Sequence, residues 1–326
     1  VSEAPDCAVL LLGEPLVLFA AMERGALDEV RRFERFSAGA ELNVAIGLAR
    51  LGFGVGYLSR VGDDSFGRFL LNVLDQEGID RSGVAIDSNN PTGFMLKSRA
   101  LTGDDPAIEY HRRGSAASRM HPDNMPTRLD IRTRHLHLTG ICPALSDSCS
   151  ALVFRLAGAA REAGCRLSFD PNVRQRLWPD RQGMVDTLGQ LASLADLVLP
   201  GLEEGRLLTG LHSPQEIAAY YLDRGARDVV VKLGPDGAFC ASRDAPGVFV
   251  PGSPVADVVD TVGAGDAFAT GVISALLEGL PLAQAAARGN SLGARALRFP
   301  GDCDGLPTRA QLDAEQHGAL LRVLSQ

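Results

Sequence analysis

From residue 135 onward the chain alternates strand and helix signals, and this alternation constrains the fold more than any other feature. A strand is expected over 135–141. A helix follows over 150–163, with Leu152, Leu156, Ala159 and Ala160 on one face. Further strands are expected over 165–170, 195–199 and 228–232, with 237–242 returning as a hairpin. Helices are expected from Glu203 and over 214–222, 266–277 and 282–297. Ser213-Pro214-Gln215-Glu216 is a full capping box with proline at the first helical position. Strands separated by helices run parallel through crossovers, which gives a layered α/β sheet. Ligands of such sheets collect at the carboxyl ends of the strands.

Two stretches break the rhythm. Residues 15–37 and 92–113 are short, alternating and strand-like, with Leu16-Val17-Leu18-Phe19 and Phe94-Met95-Leu96 as their clearest pieces. They fit either hairpins of the main sheet or a small separate sheet over the strand ends, a lid. No Pro/Ser-rich linker or charge run divides the chain, so one domain over 1–326 carrying a lid is expected.

Composition narrows the classes. With 45% hydrophobic residues the chain can build a core, which excludes extended disorder. A net charge of −8 argues against a nucleic-acid partner, because phosphate backbones need surplus cations. It leaves open a small anion site made by local donors. Only Lys97 and Lys232 are lysines, so 30 of the 32 basic residues are arginine, the better side chain for two-pronged grip on carboxylate or phosphate. No signal-peptide pattern and no 18-residue apolar run appears, so no membrane role is expected. Cys7, Cys142, Cys149, Cys165, Cys240 and Cys303 are scattered, as buried thiols of a cytoplasmic protein would be. His135 and His137 share a strand face without zinc spacing. There is no G-x-S-x-G elbow and no P-loop lysine, and Gly52-Phe53-Gly54-Val55-Gly56-Tyr57 fails the dinucleotide fingerprint at its last position.

The segment richest in chemistry is Asp260-Thr261-Val262-Gly263-Ala264-Gly265-Asp266-Ala267-Phe268. Its glycines lead into an amphipathic helix. A glycine turn there presents free amides and the positive end of the helix dipole, an anion site. Read alone, the motif is better served by Asp266 as a simple N-cap and the glycines as a tight turn, since short glycine motifs match often by chance.

Residues 260–271 closely resemble the C-terminal signature of the ribokinase-like sugar kinases, the phosphofructokinase-B family. The N-terminal signature is present as Gly39-Ala40-Glu41-Leu42-Asn43-Val44-Ala45, Leu51-Gly52, Val61-Gly62-Asp63-Asp64 and Phe66-Gly67. The resemblance spans nearly the whole chain. Within the family it is closest to the 2-keto-3-deoxygluconate kinases, through Gly13-Glu14-Pro15, Tyr110-His111-Arg112-Arg113, Leu138-Thr139-Gly140-Ile141, Phe169-Asp170-Pro171-Asn172-Val173-Arg174 and Leu177-Trp178.

The resemblance implies a three-layer α/β/α sandwich with a small β-sheet lid. It also implies ATP-dependent phosphorylation of the terminal hydroxyl of 2-keto-3-deoxy-D-gluconate. Asp266 would be the catalytic base, and the amides of Gly263, Ala264 and Gly265 the anion hole. ATP contacts fall at Lys232, Gly234 and Gly237, mostly through backbone, and at Asn290 beside the adenine. Gly39, Asn43 and Tyr110 would meet hydroxyls or the keto group, with Asp302 near the substrate. Arg112, on the lid, and Arg174, after a strand end, would hold the carboxylate. The usual N-x-x-E reads Gly201-Leu202-Glu203-Glu204, so Glu204 alone remains to organise Mg²⁺ through water. Asp260 matches the position of a monovalent cation, K⁺. A homo-oligomer formed through the lid is expected. Alternatives at this point are a fructokinase-like enzyme, a kinase of the galactonate epimer, and a non-catalytic sugar or nucleotide sensor.

Overall fold

A strand buried on both faces must be apolar throughout. Val229, Val230 and Val231 form such a run, the outer two entering one core and the middle one the other. The computed structural model describes residues 7–99, 106–125 and 133–315. In chain order the strands are β1 (Val9–Leu12), β2 (Leu16–Ala21), β3 (Phe33–Ala38), β4 (Val55–Gly62), β5 (Val84–Asp87), β6 (Phe94–Lys97) and β7 (Ile108–His111). Then follow β8 (His135–Thr139), β9 (Arg166–Asp170), β10 (Leu197–Val198), β11 (Asp228–Lys232), β12 (Ala238–Ser242) and β13 (Ala245–Val250). The helices are α1 (Ala40–Arg50), α2 (Ser65–Gln76), α3 (Asp147–Glu162), α4 (Arg181–Leu194), α5 (Leu202–Thr209), α6 (Pro214–Asp223), α7 (Ala264–Leu277) and α8 (Leu282–Ala296).

Among the described residues nine strands form one sheet, in the order β13-β12-β11-β10-β9-β8-β1-β4-β5. It is parallel from β5 to β11 and antiparallel through β12 and β13. One face packs on α1, α2, α7 and α8, the other on α3 to α6. This is the expected three-layer sandwich.

The two irregular segments do pair with each other. They form a four-stranded sheet, β3-β2-β6-β7, joined where β2 and β6 run parallel with Val17 opposite Phe94. Its rear face is fixed to α2 by mutual edge-on contacts of Phe19, Phe66 and Phe94, with centroids 5.6–6.2 Å apart. Its inner face carries Leu16, Leu18 and Met95 over the strand ends. Residues 100–105 of the second segment lie outside the described residues.

Local signals explain most elements. The capping box forms, with Ser213 Oγ accepting from Glu216 N at 3.2 Å and Glu216 Oε2 accepting from Ser213 N at 3.0 Å. Asp64, in the N-terminal signature, caps α2 by accepting from Gly67 N at 2.7 Å and ties in Thr92 N at 2.8 Å. That part of the signature builds the scaffold. Helix α4 was not anticipated: Gly183 and Gly189 dilute its pattern, and the Asp180 cap, 2.8 Å from Gly183 N, starts it. β10 is shorter than the expected 195–199.

His135 Nε2 and His137 Nδ1 share Ser168 Oγ at 2.7 and 2.8 Å, and burial pushes His137 down to about 3. The pair is a neutral, hydrogen-bonded part of the interior. Cys142, Cys149, Cys165, Cys240 and Cys303 are buried free thiols. Among the described residues no helix is long and apolar enough to cross a membrane.

Candidate active site

Two cavities meet at the amino end of α7. The first, about 560 Å³, lies between the strand ends and the inner face of the lid, and includes Gly39, Asn43, Tyr110, Arg112, Arg174, Glu204, Gly263, Asp266 and Asp302. The second, about 490 Å³, includes Gly234, Gly237, Ala264, Phe268, Asn290 and Leu297. Lys232, Thr261 and Gly265 line both. Every site residue expected from sequence therefore borders one cavity or the other, except Asp260. Asp260 borders a third cavity of about 390 Å³ at the far end of the lid.

Gly263 makes the junction possible. It caps α7 at φ +83°, and a Cβ there would sit 2.6 Å from the Asp302 carbonyl oxygen. The helix thus starts in the left-handed turn, and its first amides have no intrahelical carbonyl. Asp266 lies in the first turn. Its carboxylate is not used as a cap: Asn43 Nδ2 donates to Oδ2 at 2.7 Å, and Asn172 Nδ2 to Oδ1 at 3.4 Å. Burial pushes Asp266 up to about 7; the Asn43 hydrogen bond and Arg174 pull it down, while Asp170 and Asp302 push it up.

Gly39 fixes the opposite wall. Its φ is +128°, and a Cβ would meet the Glu14 carbonyl oxygen at 2.6 Å. α1 can begin there, which brings Asn43 to Asp266. The other end of the Asn43 amide, Oδ1, accepts from Cys303 Sγ at 2.9 Å. Asn43 is thus engaged at both ends. The amide orients the Asp266 carboxylate while lining the cavity.

Arg112 is buried, and its Nε donates to Glu14 Oε2 at 2.6 Å, with Nη2 turned to the same oxygen. Ser115 Oγ donates to the other Glu14 oxygen at 2.5 Å. Arg112 is therefore partly neutralised within the protein. Arg174 stays exposed, and its Nη1 donates to Val173 O at 3.4 Å. Arg176 joins it on the same cavity. Asn290 turns its Nδ2 to Val250 O and Pro251 O, at 3.3 and 2.9 Å, and so shapes the wall of the second cavity. Glu204 Oε2 accepts from Gly201 N and Oε1 from Val173 N, both at 2.7 Å. It clamps the loop that carries Arg174.

Lys232 contributes more than backbone. Its ammonium lies 2.6 Å from Asp170 Oδ2, and a Cβ on Gly265 would be 3.8 Å from it. Burial alone would lower its pKa, and the carboxylates of Asp170 and Glu204 more than reverse this. Besides Arg176, four acidic or amide residues of the site escaped the sequence reading as side chains: Glu14, Glu41, Asp170 and Asn172. Glu41 is fully buried, is pushed up to about 7 by desolvation, and accepts from Thr139 Oγ1 at 2.5 Å. The tracts that hold them, 13–15, 39–45 and 169–174, were the available signal.

Among the described residues no group of three or more His, Cys, Asp or Glu is placed to hold a metal ion. A divalent metal here would be carried largely by phosphate oxygens and water. The monovalent cation expected at Asp260 does not fit. Asp260 Oδ2 is 2.7 Å from the ammonium of Lys97.

A carboxylate at an amide-rich helix start, between two open cavities, is an arrangement suited to phosphoryl transfer. Residues 9–309 match the pfkB family of carbohydrate kinases, and the chain belongs to that family. It is 49% identical over 301 residues, 92% of each chain, to the 2-dehydro-3-deoxygluconokinase of Bacillus subtilis (strain 168). It is also similar to the PfkB protein of Polaromonas sp. JS666, with 46% identity, TM-score 0.86, and 94% of this chain and 99% of that one covered. An Escherichia coli protein described as a ribokinase II, in complex with ATP and Mg²⁺, superposes with TM-score 0.86 at 26% identity, covering 94% and 98%. The chain is a carbohydrate kinase.

Proposed function

We propose that this kinase transfers the γ-phosphoryl group of ATP to the terminal hydroxyl of 2-keto-3-deoxy-D-gluconate. The observation that carries the reading is Arg174. Of the cations lining the first cavity, Arg112 faces Glu14 and Lys232 faces Asp170. Arg174 makes no ion pair with a described residue and lies beside Arg176. A guanidinium left without a carboxylate in an acidic cleft suits a substrate that brings its own. A neutral sugar offers it nothing. The name of the 49% identical relative supports the same acceptor.

With the substrate carboxylate at Arg174, the far hydroxyl reaches toward Asp266. As that hydroxyl oxygen bonds to the γ-phosphorus, its proton passes to Asp266, the bond to the β–γ bridging oxygen breaks, and ADP leaves. A carboxyl pushed up to about 7 is suited to receive that proton near neutrality. The amides at the start of α7 and the Lys232 ammonium stabilise charge on the transferring group. The second cavity, with Phe268 and Leu297 on its wall, takes the adenosine. Mg²⁺ would arrive with the phosphates and neutralise them, and its water shell would reach Glu204 only through oxygens that already accept from Gly201 N and Val173 N.

The test is ADP release with ketodeoxygluconate, its galactonate epimer, fructose, ribose and adenosine, for the wild type and Arg174→Ala. Turnover should require a keto acid. Arg174→Ala should raise KM for it on the order of 10–100-fold, leaving KM for ATP unchanged. Turnover of fructose without the keto acids overturns the acceptor. No release with any acceptor, despite ATP binding, favours a sensor.

A further inference from the structure

Lys97 is one of two lysines in the chain and is 2% exposed. It lies on β6, on the inner face of the lid. Its ammonium has three protons and three acceptors: Asp260 Oδ2 at 2.7 Å, Asp302 Oδ1 at 2.9 Å and Pro300 O at 2.9 Å. Burial alone would lower its pKa, and the two carboxylates more than reverse this. Both carboxylates belong to the backbone that shapes the anion hole. Asp260 Oδ1 accepts from Val262 N at 3.0 Å. The Asp302 carbonyl is the group against which Gly263 packs.

We infer that Lys97 is a tethered cation, a positioning residue that holds the loops around 260–263 and 300–303 in place of a free monovalent ion. The kinase reaction is then indifferent to K⁺. Two carboxylates and a carbonyl around an ammonium are also a set of hard oxygen donors of the kind that binds K⁺ or NH₄⁺, ions of nearly the same size. Cutting the lysine back leaves that set facing a vacated volume beside the third cavity, which already reaches Lys97, Asp260 and Pro300. Lys97→Ala should therefore convert a cation-indifferent enzyme into a cation-dependent one.

The inference rests on the kinase reading for its kinetic arm only. The full chain and its Lys97→Ala variant are compared in tetramethylammonium, potassium and ammonium chloride at equal ionic strength. Wild-type turnover and melting temperature should change little among the salts. Lys97→Ala should lose on the order of tenfold or more in kcat in tetramethylammonium and regain most of it in K⁺ or NH₄⁺. Its melting temperature, measured without ATP or sugar, should rise with K⁺ concentration, as it does for any ligand that binds only the folded state. A wild type that needs K⁺ overturns the inference. So does a variant that responds to no cation, including one that stays unfolded in every salt. If the wild type phosphorylates none of the acceptors, the kinase reading has failed, and the melting series still decides the role of Lys97.

Discussion

Replacing Asp266 with asparagine should abolish turnover and make the protein more stable. The carboxyl stands at about 7 in the folded chain against an ordinary 3.8, chiefly through burial. A rise of that size corresponds to about 4 kcal/mol of penalty on the charged form. Asp266 opens on the cleft and is only half-buried by surface. Water screens part of the penalty, and about 2 kcal/mol is the expected share. The sign follows from proton binding. Between the two pKa values the folded chain holds a proton that the unfolded chain has lost, so stability falls as pH rises from 3.8 and the loss is complete above 7. Asparagine cannot ionise and escapes this loss. It still accepts from Asn43 through its carbonyl oxygen. Asp266→Asn should therefore gain about 2 kcal/mol at pH 8.5, on the order of 4 °C in Tm, and about half that at pH 5.5. Glu41, also near 7, titrates in both proteins and cancels from the difference. The measurement is a pair of thermal or urea melts at the two pH values, beside an ADP-release assay. A variant no more stable than wild type at pH 8.5, or a gain that does not shrink toward pH 5.5, refutes the picture of a carboxylate held at a cost. Near-normal turnover refutes its role as base.

The same carboxyl should govern the rate. kcat/KM should fall on the acid side with an apparent pKa near 7, and Asn43→Leu, which removes the donor to Asp266 Oδ2, should move that limb upward; a pH–rate profile of both proteins checks it. Lys232→Met strands the buried Asp170 and should destabilise by about 3–5 kcal/mol. Adding Asp170→Asn should restore most of the stability but not kcat, a split that urea melts and initial rates on the single and double variants resolve.

The layered sheet was legible because its signals are local. Capping at Ser213, the apolar run Val229 to Val231 and the glycine turn before α7 are each decided within a few residues. The pairing of β2 with β6 was not decided that way. Both readings of the irregular segments have the same alternation, and the lid is seen only in remote contacts, with Phe66 on one face and among Leu16, Leu18 and Met95 on the other. The site followed the same division. Which residues border the cavities could be carried over from the signatures. How their charges are spent could not, because the partners are remote: Arg112 meets Glu14 across 98 positions of sequence, and Lys97 meets Asp302 across 205. A reading from sequence saw Arg112 and Arg174 as equivalent. The fold makes one an internal pair and leaves the other open.

Charge at this site is ordered by which cation can be spared. The chain carries arginine at 30 of 32 basic positions, so a lysine is the exception. Both lysines stand within 3 Å of carboxylates beside the same anion hole, Lys97 at Asp260 and Asp302, Lys232 at Asp170. A planar guanidinium projects five donors in a wide fork and needs room in its plane, whereas an ammonium directs three donors from a single point. At Lys97 the point charge meets two carboxylates and a carbonyl at once. These three acceptors lie on three different residues, and each bond points a different way. On the open side of the cleft the cations are arginines, Arg174 and Arg176, both bordering the first cavity. Composition alone reads as a bias toward arginine. Placed in the fold, the two departures from that bias join Arg112 in neutralising the protein's own acids beside the cleft, Lys97 at Asp260 and Asp302, Lys232 at Asp170 and Arg112 at Glu14.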